Sequence, residues 1–196
     1  MHMSTPVGGS GPCIALVELA SIATGMECVD ALIKEADVQL FLATPVSPGK
    51  YVVLFAGPVD DVSAALRRAR EVGAESLIDS LFIPNVEPTL LAAVRDRGDF
   101  AEELDALGVI ETLSVASTIR AGDLASKTAS LSIAGIGLAR GLGGKSWVAF
   151  TGELADVEAG MQAGADDAEA AGLLVRRLVI PRPHPGMGPV ISGALA

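Results

Sequence analysis

The spacing of apolar positions along this chain alternates between two periods, and it does so twice in the same order. Cys13–Leu19 is a run rich in Ile, Val and Leu, as a buried sheet strand is. After Thr24 and Gly25 the apolar positions become Met26, Val29, Leu32, Ile33 and Ala36, a helical spacing, with Glu27, Asp30, Lys34 and Glu35 on the opposite face. Val38–Val46 is extended again. The turn Ser47-Pro48-Gly49 leads into a second extended run, Tyr51–Ala56, so the two form a predicted hairpin. Asp60 or Asp61 is placed to cap a further helix, whose apolar face is Val62, Ala65, Leu66, Ala69 and Val72. Ser76–Ile83 reads as a closing strand, stopped by Pro84. The predicted order is β-α-β-β-α-β, the ferredoxin-like split arrangement of an α/β (α+β) domain.

The second half repeats this plan. Gly108–Leu113 reads as a strand, Ile119–Thr128 as a helix, and Leu131–Ala139 with Ser146–Thr151 as a hairpin around Gly141–Lys145. Asp156–Ala170 and Leu173–Ile180 supply the last helix and strand. Single residues mark the register. Glu18, Ser21, Asp30 and Lys34 return as Glu111, Ser114, Asp123 and Lys127; Gly49-Lys50 and Gly57 return as Gly144-Lys145 and Gly152; Ile83-Pro84 returns as Ile180-Pro181. One unit followed by its own copy points to a chain that builds a symmetric object. The domains are expected at 12–95 and 107–187, with a linker at 96–106 that is acidic from Asp96 to Asp105. Short ends rich in Gly, Ser, Pro or Ala, 1–11 and 188–196, are expected to be flexible tails.

Composition narrows the function classes. Half of the 196 residues are hydrophobic yet only 4% are aromatic, and the mean hydropathy is +0.48. A membrane span needs about 20 consecutive apolar residues, and no run approaches that. No basic segment precedes Ile14–Leu19, as a signal peptide would require. Burial against other chains is the better account of so much apolar surface. A net charge of −10 repels a phosphate backbone, so nucleic acid is not an expected partner. Two cysteines, Cys13 and Cys28, cannot form a disulfide framework and lack metal-ligand spacing; each reads as a small buried hydrophobe in a reducing cytoplasm.

Candidate chemistry is sparse. The segment Ala139–Ser146 satisfies a relaxed phosphate-loop pattern, but Trp147, Val148, Ala149 and Phe150 after it read as a strand, whereas a phosphate loop must open a helix. Gly135-x-Gly137 has Arg140 where a dinucleotide fingerprint needs its third glycine. Glu18 and Glu111 each sit within an apolar strand, either as acid–base groups or, the preferred reading, as carboxylates at a strand edge or subunit contact. No nucleophile, base and orienting acid assemble, so no catalytic residues are assigned.

Taken together, E-L-A-S-I-A-x-G-M from Glu18, D-A-L-I-K-E-A-D-V from Asp30, hairpin loops ending in G-K, G-x-V-x-D-V from Gly57 and I-P-R-P-H from Ile180 resemble the bacterial microcompartment shell domain. Two such domains in tandem and unpermuted resemble the trimer-forming shell proteins, including the iron–sulfur-bearing kind of propanediol-using microcompartments. The likeness runs from Cys13 to His184. It implies a homotrimer acting as a pseudohexamer, a tile of the shell facet with a central pore for small metabolites. The partners would be further copies and other shell proteins edge to edge, with encapsulated enzymes as an additional partner; no membrane is implied.

The resemblance also places residues. The pore would be lined by Ser47, Pro48 and Gly49 from the first domain and by Leu142, Gly143 and Gly144 from the second, although an ordinary hairpin turn has the same composition. The family's edge lysine matches Lys34 and Lys127, which also read as solvated helix lysines. Its edge arginine matches Arg182, beside His184, while the first copy has Asn85 there. Cluster-bearing members hold iron with a cysteine at the position of Ser47. A hydroxyl is a poor substitute for a thiolate, so no cluster, metal or other cofactor is expected. A redox module and a ligand-binding ferredoxin-like protein are the alternatives, separated by iron content and by saturable ligand binding.

Overall fold

The computed structural model describes residues 12–96, 104–139 and 141–192. The first unit comprises β1 (Cys13–Leu19), α1 (Ile22–Glu35), β2 (Gln39–Val46), β3 (Lys50–Gly57), α2 (Val59–Gly73) and β4 (Leu77–Ile83). Helix α3 (Pro88–Asp96) follows. The second unit comprises β5 (Ala106–Thr112), α4 (Val115–Thr128), β6 (Ser132–Leu138), β7 (Ser146–Gly152), α5 (Leu154–Ala170) and β8 (Leu174–Pro181), and α6 (Met187–Ser192) ends it. The sheets have the orders β2-β3-β1-β4 and β6-β7-β5-β8, antiparallel throughout. Even the irregularities recur: β1 and β4 slip register after Glu18, and β5 and β8 slip after Glu111.

Alternation along each strand divides the sheets into two faces. In the first unit Ala15, Val17 and Leu19 lie beneath α1 and α2, in a core with Leu32, Phe55 and Leu66. Ile14 and Leu16 face the other way and share one cluster with Leu54 and Leu81, α3, and Val115 and Ile119 of α4. The two units therefore meet through a common apolar core. Gly25 makes close helix packing possible in the first unit, since a Cβ there would stand 2.4 Å from the Tyr51 ring.

Three local expectations are corrected. Helix α1 begins at Ile22, ahead of Gly25, because Ser21 caps it by accepting the Thr24 N–H at 3.2 Å. Its buried face is Gly25, Cys28 and Leu32, while Met26 and Ile33 are exposed. Neither Asp60 nor Asp61 caps α2: Pro58 occupies the cap, and both carboxylates fall in the first turn, where they complement the helix dipole. Residues 188–192 are no loose tail, for α6 lays Met187 and Ile191 on the outer face of the second sheet beside Leu107, Ala134 and Trp147. The expected tails at 1–11 and 193–196 and the connector 97–103 lie outside the described residues. Helix α3 and strand β5 each claim one residue of the expected linker, Asp96 and Ala106.

Candidate functional site

Two groups of residues stand out, the joint between the units and the pair of hairpin loops. The joint is built where the N-terminus of α4 meets the outer face of β1 and β4. Glu18 is fully buried. One of its oxygens receives the Lys50 ammonium at 2.8 Å and the other accepts the Val115 N–H at 2.9 Å. The carboxylate thus satisfies a donor that an α-helix leaves free at its first turn, and it sits at the positive end of the helix dipole. Beside it, Ser114 caps α4 by accepting the Ser117 N–H at 3.0 Å and donates its own hydroxyl to Asp79 at 2.6 Å. Arg120 reaches the Ser80 carbonyl at 3.4 Å. At the far end Asp123 accepts the Glu87 N–H at 2.8 Å and pairs with Lys127, which also donates to the Asn85 carbonyl.

The counterparts of the residues at this joint have no partner helix over them among the described residues. Strand register equates Asp79 with Arg176 and Ser80 with Arg177, each opposite the residue that matches in β1 and β5. Glu111 pairs with Lys145 at 3.1 Å as Glu18 does with Lys50, but it remains partly exposed. Met26 is 58% exposed where its counterpart Ile119 is 1%. Ile22 is 39% exposed against none for Val115, and Leu178 38% against 1% for Leu81.

The hairpin loops lie against each other. The Ser47 N–H donates to the Ala139 carbonyl at 3.1 Å, and the Ser47 hydroxyl accepts the Gly141 N–H at 3.1 Å. Gly144, at φ 89°, is buried; a Cβ on it would stand 3.3 Å from Pro48 Cδ. Gly49 and Leu142, with Gly143, form exposed loop tips. The segment with the relaxed phosphate-loop pattern joins antiparallel β6 to β7, so no helix N-terminus faces an anion there.

The edge candidates are dispersed. Lys34 is exposed and pairs with Asp30 at 2.6 Å, one helical turn away. Lys127 is exposed at the rim of the joint, where it pairs with Asp123 at 2.7 Å and donates to the Asn85 carbonyl, a contact that sequence spacing did not reveal. Arg182 is exposed, has φ 48°, and donates its N–H to the Asp105 carbonyl at 2.9 Å. His184 accepts the Gly186 N–H at 3.1 Å and shapes the turn into α6. Asp79 and Arg120 were also missed, although superposing the two repeats exposes their exchange of charge. Cys13 and Cys28 lie in the helix-side core of the first unit, away from both loops. Burial, reinforced by the Glu27 carboxylate, pushes the Cys28 thiol up to about 11, and burial raises Cys13. The loop residues do not fit an iron–sulfur cluster, since Ser47 offers a hydroxyl already engaged with Gly141 and neither thiol is near.

Among the described residues no helix is long and apolar enough to cross a membrane, and no cluster of His, Cys, Asp and Glu could hold a metal ion. Comparison with known proteins gives a consistent picture. The BMC domain pattern matches twice, at residues 13–86 and 106–183. The chain is 36% identical to the bacterial microcompartment shell protein PduT of Citrobacter freundii over 174 residues, 89% of this chain and 94% of that one. It is 38% identical over 82 residues to the shell protein EutM of Escherichia coli (strain K12), 41% of this chain and 81% of that one. A solved microcompartment protein of Desulfitobacterium hafniense DCB superposes with a TM-score of 0.83 at 42% identity, over 91% of this chain and 98% of that one. A fused permuted hexameric shell protein of the RMM microcompartment, 16% identical with a TM-score of 0.60 over 84% of this chain and 85% of that one, shares the fold.

Proposed function

The chain belongs to the BMC-domain family and is a structural shell protein of a bacterial microcompartment; from that premise we propose that three copies close head to tail into a six-sided ring. Each domain would fill the place of one subunit of a hexamer. The observation that carries this reading is the unequal burial of equivalent positions. The joint inside the chain hides Val115 and Ile119, and the same joint formed between copies would hide Ile22 and Met26 against Leu178. The N–H of Ile22 would then fall to Glu111 as that of Val115 falls to Glu18. Such a contact joins two unlike faces and produces a finite object only if the rotation closes.

In the ring, Ser47, Pro48 and Gly49 and Leu142, Gly143 and Gly144 border a central pore that passes small metabolites. Lys34, Lys127, Arg182 and His184 serve its edges, where further tiles and other shell proteins meet; Arg182 suits carbonyl acceptors on a neighbour. Encapsulated enzymes would contact one face. The role is architectural, without catalysis or a redox cofactor, inside the cytoplasm. Light scattering on a sizing column tests it. A species of about three times 19.9 kDa is expected, and a monomer at all concentrations overturns the ring.

A further inference from the structure

We infer that the contact between copies is fastened by charges of reversed polarity, with Glu27 on α1 of one copy set against Arg176 and Arg177 on β8 of the next. The inference rests on the ring reading and specifies its partner surface, which is a second copy of this chain. Within one copy, Arg120 of α4 reaches the Ser80 carbonyl of β4 and pairs with Asp167 of α5 at 3.8 Å, while Asp79, next to Ser80 on the strand, accepts from Ser114. At the matching positions the signs are exchanged. Glu27 stands where Arg120 stands, and strand register puts Arg176 where Asp79 is and Arg177 where Ser80 is.

Two further observations support this. Glu27, Arg176 and Arg177 are all exposed, and among the described residues none of them has an ion-pair partner; Arg177 donates only to Gln162. Arg176 would also lie at the N-terminus of α1, where the helix dipole disfavours a cation. A carboxylate on the next turn of that helix supplies the missing compensation.

The test is a charge exchange read by analytical ultracentrifugation of the full chain at low and high salt. Wild type, Glu27→Arg, the double variant Arg176→Glu with Arg177→Glu, and the combination of all three are compared. Each partial reversal is expected to raise the dissociation midpoint about tenfold, and the full exchange to return it to within about threefold of wild type. The loss should shrink at high salt as the charges are screened. A wild-type ring that the partial reversals leave unmoved, or that the full exchange fails to restore while all variants keep wild-type circular dichroism, overturns the charge contact and leaves the ring standing. A wild-type chain that never associates overturns the ring itself.

Discussion

The carboxylate of Glu18 accepts the backbone N–H of Val115 from 2.9 Å, and neither residue is exposed to solvent. A strand of one domain thereby terminates a helix of the other. The acid is compensated on its second oxygen by Lys50, so its burial is tolerated only while both partners remain. Removing one side of a buried pair strands the other charge, at a cost of about 3–5 kcal/mol. Glu18→Ala is therefore expected to lower stability by about that amount in denaturant titration. Glu18→Gln retains an acceptor for Val115 and should cost less. Equal losses for both would show that the charge, and not the helix-capping contact, dominates.

Equivalent positions should respond differently to the same change. Ile119→Asp buries an unpaired charge within the chain's own core, and the expected outcome is loss of the folded protein. Met26→Asp alters an exposed position, so the far-ultraviolet circular dichroism should be unchanged while the native mass falls to that of a single chain. Retention of the full assembly by Met26→Asp would show that α1 is not covered by a neighbour.

Gly144 tests the fit between the two hairpin loops. Its φ of 89° disfavours any side chain, and the nearest atom to an added methyl is Pro48 Cδ at 3.3 Å. Gly144→Ala should destabilise the protein by about 1–2 kcal/mol. Gly49, equally left-handed but with nothing within 4 Å, should lose only the backbone part on substitution by alanine. Thermal melts of the two variants side by side measure the difference.

Cys28 predicts a pH effect with a definite sign. Its thiol ionises near 9.0 when unfolded and is held protonated to about 11 in the fold, where Sγ donates to the Ala69 carbonyl at 3.4 Å. The native state then binds the extra proton between these values. Its contribution is complete below pH 9 and is lost as pH rises towards 11. The slope of stability against pH in this window should be shallower for Cys28→Ala than for wild type. A thiol reagent at pH 8 should leave Cys28 unlabelled until the protein is unfolded.

The repeated period of apolar residues carries the fold almost entirely, because each strand and helix buries a face whose spacing is visible in one dimension. Strand β1 spans the expected residues, and the hairpins and the second long helices deviate only at their ends. What spacing cannot carry is which partner covers a face. Met26 and Ile119 read alike as apolar helix positions, yet one is buried by another domain and the other is not. Lys127 likewise stands one helical turn after an aspartate as Lys34 does, and only the approach of Asn85 gives it a second partner. The end helix α6 escaped because Met187 and Ile191 sit among Gly, Pro and Ser, and their helix is fixed by the apolar surface around Trp147.

The junction at Glu18 has a kinetic consequence. Because both of its halves belong to one polypeptide, that contact forms during folding and is independent of protein concentration. Dilution acts only on contacts between chains, which are half of those in a three-chain ring. Each encounter in the proposed ring therefore adds a pre-assembled two-domain block, so two associations finish an object that six separate domains would need five to build. The expression level of the gene cannot unbalance the two kinds of domain, since they are made in equal numbers by the same translation event.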